Sequence, residues 1–161
     1  MIKPYIHALI SVVLIEILLA LALIIIPGLF LGITTAKIFE LIPFYSLSVA
    51  VVTIVIVVFI GLPIFELLRR LGLATNRNLM IIGFFIPVII LVFLDIFFSV
   101  SEGFSSGQSY YGTYREMIVN GARTSWGWLE FIEELVKFGI HGLAGALVFK
   151  VVWFKIAADG K

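Results

Sequence analysis

The sequence predicts an all-α integral membrane protein of four transmembrane helices, on three observations. The chain is 62% hydrophobic and 13% charged, whereas a soluble domain is about half apolar and a quarter charged. Its mean hydropathy is +1.21. Four apolar stretches reach the length of about 20 residues that a bilayer span needs, and polar segments separate them. The spans fall at about residues 6–28, 42–69, 79–100 and 126–156, with one longer loop at about 101–125. Residues 1–161 read as a single transmembrane domain.

The composition excludes several function classes. A net charge of +1 argues against nucleic-acid binding, which needs clustered Lys and Arg in excess of acids. With no cysteine there is no thiolate nucleophile, no disulfide exchange and no Cys-ligated metal. His7 lies at one end of the predicted bundle and His141 in its other half, so they do not make a haem or zinc site together. No HExxH, Gly-rich phosphate loop or nucleophile elbow occurs,. No enzyme activity, cofactor or metal is expected.

Lys3 and His7 precede an apolar run from Ala8 to Ile26 broken only by Glu16 and Ser11. A signal peptide would have a shorter apolar core and a small-residue cleavage site, so this is read as a retained helix that Pro27-Gly28 either kinks or ends. Leu29 to Leu41 reads as a short connection carrying Lys37 and Glu40. The second span is free of charge until Glu66, Arg69 and Arg70. Pro63 in it leaves a carbonyl near Phe59 without its donor and predicts a bend. Gly72 ends this helix and Asn76 or Asn78 starts the next, which contains Pro87 and Asp95. In the loop, Thr113 to Asn120 reads as a short interfacial helix, with Tyr110, Tyr111, Tyr114, Trp126 and Trp128 at headgroup level. Ser125 is the expected cap of the fourth helix.

Orientation follows from the basic residues. Lys3, Arg69, Arg70, Arg77, Lys155 and Lys161 fall on the side of the termini, against Lys37, Arg115 and Arg123 on the other. The positive-inside rule then places both termini in the cytoplasm and the long loop outside it. Short loops and tails suit a bacterial inner membrane.

The fourth helix holds an organised set of ionisable groups. Glu130, Glu134, Lys137 and His141 are spaced four, three and four apart, which keeps them within an arc of about 60° on one helix face. Gly139, Gly142, Ala144, Gly145 and Ala146 follow and permit close helix approach. Glu16 falls near mid-span, where an ionisable group is costly without a partner or a use; the flexible stem of Lys150 is one candidate partner. Asp95 lies at a depth comparable with Lys137 and His141, which predicts a polar cluster between the third and fourth helices.

The opening MIKPYIHALISVVLIEILLALAL, 23 residues, resembles the start of small multidrug-resistance exporters, four-helix antiporters with an essential acid midway along helix one. The resemblance implies a proton-coupling role for Glu16 alone. Those exporters are shorter and have minimal loops, unlike this chain with its long third loop.

The leading functional expectation is a non-enzymatic membrane protein that binds another protein, as an accessory subunit or immunity-type protein. Its contact residues are Tyr110, Tyr111, Tyr114 and Trp126 of the loop and Glu130, Glu134, Lys137 and His141 of the fourth helix. The alternative is an oligomeric proton-coupled transporter or channel in which Glu16 and Asp95 couple ions. Contacts with lipid and with a protein partner or a second copy are expected, and none with nucleic acid.

Overall fold

A computed structural model of the protein describes residues 2–30, 35–98 and 102–159. Among them, four helices are long and apolar enough to cross a membrane: Lys3–Ile26, Ile42–Arg70, Asn76–Phe97 and Ser125–Ala158. The chain is not all-α, because a small antiparallel sheet lies between the last two of these helices. The described structure divides into two compact units, Met1–Gly83 with His141–Lys161, and Phe84–Ile140.

In the first unit, α1 runs from Lys3 to Phe30. It continues past Pro27-Gly28 instead of ending there. α2 spans Thr35–Ile56 and so takes in much of the segment expected to be a connection; residues 31–34 of that segment lie outside the described residues. α2 passes through a π turn, Val57–Gly61, into α3, Leu62–Arg70. Pro63 explains the turn. It has no N–H to give one turn back, and the helix widens just before it, so that the Leu62 N–H bonds the Val57 carbonyl five residues earlier,. α3 closes with Gly72 at φ 69°, where Leu73 N donates to Leu68 O at 2.8 Å and Gly72 N to Arg69 O at 3.2 Å. Gly72 is thus the left-handed residue of a Schellman cap.

α4 spans Asn76–Phe97. Its cap is Thr75 rather than Asn76 or Asn78, since Thr75 Oγ1 accepts from Asn78 N at 3.2 Å,. The Asn78 side chain instead donates to Leu73 O at 2.8 Å and ties down the turn. Residues 99–101, at the expected end of the third span, lie outside the described residues.

The core of the first unit gathers Ala8 and Val12 of α1, Phe65 and Leu68 of α3, Leu79 of α4 and Phe149 of the last helix. Phe65 meets Phe149 and Trp153 edge-on, with ring centroids 4.9 and 5.3 Å apart, in the geometry aromatic quadrupoles prefer. Beside them Glu66 accepts from Tyr5 Oη at 2.9 Å, from Arg69 Nε and Nη2 at 2.8 and 2.7 Å, and from Arg70 Nε at 2.9 Å. One carboxylate therefore ties α1 to α3.

The second unit carries the sheet, β1 (Ser106–Tyr110), β2 (Thr113–Val119) and β3 (Ala122–Arg123), in the order β1-β2-β3. The expected interfacial helix over Thr113–Asn120 is therefore a strand. Both hairpin turns show why. Tyr111-Gly112 has φ 48° and 77°, and Asn120-Gly121 has φ 49° and 80°, the pair of positive values that a two-residue hairpin turn needs to match strand twist. The two turns bracket Thr113–Val119 and reverse the chain at each end, so that the segment pairs with β1 and β3.

α5 spans Ser125–Asp159. Thr124, not Ser125, is its cap: Thr124 Oγ1 accepts from Gly127 N at 3.1 Å and donates to Glu116 O at 2.6 Å. One hydroxyl so joins the first turn of α5 to strand β2. Gly127 is required at this seam, because a Cβ there would run into the Met117 carbonyl.

Candidate functional site

Two polar constellations stand out, one in each unit. In the first unit, Glu16 of α1 is 6% exposed and its Oε2 lies 2.5 Å from His141 Nδ1. Gly145 brings α5 against the same carboxylate; a Cβ built there would sit 2.8 Å from Glu16 Oε1 and 3.3 Å from Val12 Cγ1. Glu16 is therefore enclosed by His141, Gly145 and Val12. Lys150, the partner weighed from sequence, instead donates to Asn76 Oδ1 at 2.5 Å. Close packing of α4 on α5 recurs at Gly83, where a Cβ would lie 2.6 Å from both Gly142 O and Ala146 Cβ. His7 is exposed, with its ring on the Lys3 carbonyl, and takes no part in the pair.

In the second unit, Asp95 of α4 pairs with Arg123 of β3, and not with Lys137 or His141. Arg123 also lies over the Phe131 ring at 4.5 Å and the Trp128 ring at 5.8 Å, so its guanidinium is held between a carboxylate and two aromatic faces. Leu91, Leu94 and Phe131 form the apolar lining of an open groove whose polar rim is Asp95, Arg123, Glu130 and Glu134. The four ionisable groups predicted on one face of the last helix thus have different surroundings. Glu130 accepts from the Gln108 amide of β1, Glu134 borders the groove, Lys137 is exposed, and His141 holds Glu16.

The sheet is fastened to α5 by side chains. Tyr111 Oη donates to Glu133 Oε1 at 3.0 Å, and Arg115 stacks over Trp126 at 4.4 Å. The Tyr110 hydroxyl is buried beside the same acid without a hydrogen-bond partner among the described residues. Burial, and then the Glu133 charge, raises the Tyr110 phenol above its ordinary value. The hydrogen bond to Glu133 raises that of Tyr111. The hairpin still presents apolar surface, with Tyr111 82% and Tyr114 69% exposed.

Among the described residues, no group of three or more His, Asp or Glu side chains is arranged to hold a metal ion. Glu133, Arg123 and Gln108 were not singled out in the sequence. The signal that would have found them is Asn120-Gly121, the strongest short hairpin motif: once the strands are drawn, their side chains must meet α5. No family model matches the chain, and no curated protein or solved structure matches it. The likeness of the opening segment to the small exporters gains no support from these comparisons.

Proposed function

We propose that this is a non-enzymatic membrane protein that docks another protein on the sheet and groove carried by α4 and α5. The observation that carries the reading is the contrast within the hairpin. Its frame is fixed by the Thr124 bridge, the Tyr111–Glu133 bond and the Asp95–Arg123 pair, yet the Tyr111 and Tyr114 rings lie open to solvent. Tyrosine presented on a rigid support gives large contact area at little ordering cost, as at many protein interfaces. The groove beside it, with three carboxylates against one guanidinium, suits a basic side chain of the partner. In this reading the termini face the cytoplasm of a bacterial cell, and the hairpin projects from the outer face of the inner membrane. Six basic residues against three support that orientation,.

The transporter reading draws less support from the geometry, since a small-molecule substrate must reach the coupling acid and Glu16 is enclosed within its own chain. The docking reading is tested by complementation of a gene deletion. Replacement of Tyr114 by serine, which leaves the Tyr111–Glu133 bond in place, is expected to impair complementation strongly while the protein is inserted at the parental level. Full complementation by this variant and by a second one, Glu130→Gln with Glu134→Gln, would overturn the reading.

A further inference from the structure

We propose that Glu16 and His141 together form a proton-binding site in the apolar middle of the protein, and that the proton held there keeps α1 seated on α5. The inference stands apart from partner docking and rests on what surrounds the pair. In α1 the other titratable groups are Lys3, Tyr5 and His7, the nearest about 13 Å away along the helix axis,. The α2–π–α3 helix has none between Tyr45 and Glu66, α4 has none between Arg77 and Asp95, and α5 has only His141 between Lys137 and Lys150. Across the middle of all four crossings, this pair is the whole titratable inventory.

Charge then decides which state the site holds. With a proton shared between carboxylate and imidazole, as carboxylate with imidazolium or carboxylic acid with imidazole, the pair is neutral overall. Without that proton it carries a full negative charge, and the nearest cations along α5 are the exposed Lys137, about one turn before His141, and Lys150, about two and a half turns after it and engaged with Asn76,. An uncompensated charge in apolar surroundings costs several kcal/mol, a cost that the shared proton removes.

The enclosure selects the ligand. Glu16 Oε2 is on His141 and Oε1 faces Gly145, where even a methyl group would be 2.8 Å away. On the Gly145 side no room is left for a hydrated metal ion or an organic cation. The same closeness couples the site to helix packing. Release of the proton leaves a bare charge in the α1/α5 seam, and opening the seam at Gly145 and Val12 exposes the buried Glu16 carboxylate to water.

The test uses the full chain in nanodiscs of zwitterionic lipid, with histidine-selective 15N labelling and protons as the only ligand. A His7→Gln background leaves the His141 resonances alone. His141 is expected to titrate in one step together with faster amide exchange over residues 12–20 of α1 as pH rises. In Glu16→Gln, the pH dependence of α1 exchange should be lost. Should that variant fail to fold, the exchanged pair, Glu16→His with His141→Glu, should restore the coupling to α1. A pH dependence of α1 exchange that survives Glu16→Gln, an α1 exchange rate that ignores the step, or an exchanged pair that folds without the coupling would each overturn the proposal.

Discussion

At the scale of single residues, Thr124 does the most for its size. Its hydroxyl accepts from Gly127 N and donates to Glu116 O, so Thr124→Ala removes a helix cap and a strand tether in one step. Loss of such a cap costs about 1 kcal/mol, or about 2–4 °C in melting temperature for a chain of this size. Thr124→Ser, which keeps the hydroxyl, should lose much less in the same thermal melt. Tyr111 gives the hairpin a pH dependence of definite sign. Its phenol is raised above the ordinary value of about 10 because the protonated hydroxyl donates to Glu133. The folded state therefore holds this proton more tightly than the unfolded state does. The stabilisation is complete below the ordinary value and fades as pH climbs through the raised one. Ultraviolet titration should show Tyr110 and Tyr111 ionising above the ordinary phenol value, and Glu133→Gln should bring Tyr111 back towards it.

At the scale of elements, helices and hairpins were not equally legible. Long uncharged runs such as residues 46–65 can only be helices in lipid, because no other single segment satisfies its own backbone there. Residues 106–123 have no such constraint: their tyrosines suggest an interfacial helix, and the structure has a hairpin because Tyr111-Gly112 and Asn120-Gly121 take positive φ. Gly112 isolates the effect: it sits at φ 77° with open space where a Cβ would go. Any cost of a side chain there is conformational alone. Gly112→Val should destabilise the hairpin by about 1–2 kcal/mol, while Gly112→Asn, a residue that visits this region, should cost less. Hydrogen exchange of the strand amides would separate the two. Pro63 was read correctly as a disturbance but not in kind, since a missing donor can be met by bending or by widening the turn, and sequence does not say which. Pro63→Ala restores the donor, and amides 57–61 should gain protection as the π turn reverts to α.

At the scale of the whole molecule, position along a helix was readable and direction around it was not. A rise of 1.5 Å per residue is enough to place Glu16 mid-span and to mark it as needing a partner. Choosing His141 over Lys150 depends on which faces of α1 and α5 meet, and that is set by where small residues let backbones approach. The same uncertainty misassigned Asp95, whose partner Arg123 lies in a strand that was not foreseen. Glycine positions are therefore the sharpest probe of how the helices are assembled. At Gly83 an added methyl group would meet a backbone carbonyl and the Ala146 Cβ at 2.6 Å, and neither can move without shifting α5. At Gly139 the atoms met, at 2.5–2.8 Å, belong to the Phe84 ring, which can turn aside about its side-chain torsions. Gly83→Ala should thus cost the 1–3 kcal/mol typical of overpacking, and Gly139→Ala clearly less. Thermal melts of the two variants in the same detergent test this ordering. Equal losses would mean that the α4/α5 seam yields as easily at a carbonyl as at a ring, and that the close approach at Gly83 does not set the helix spacing.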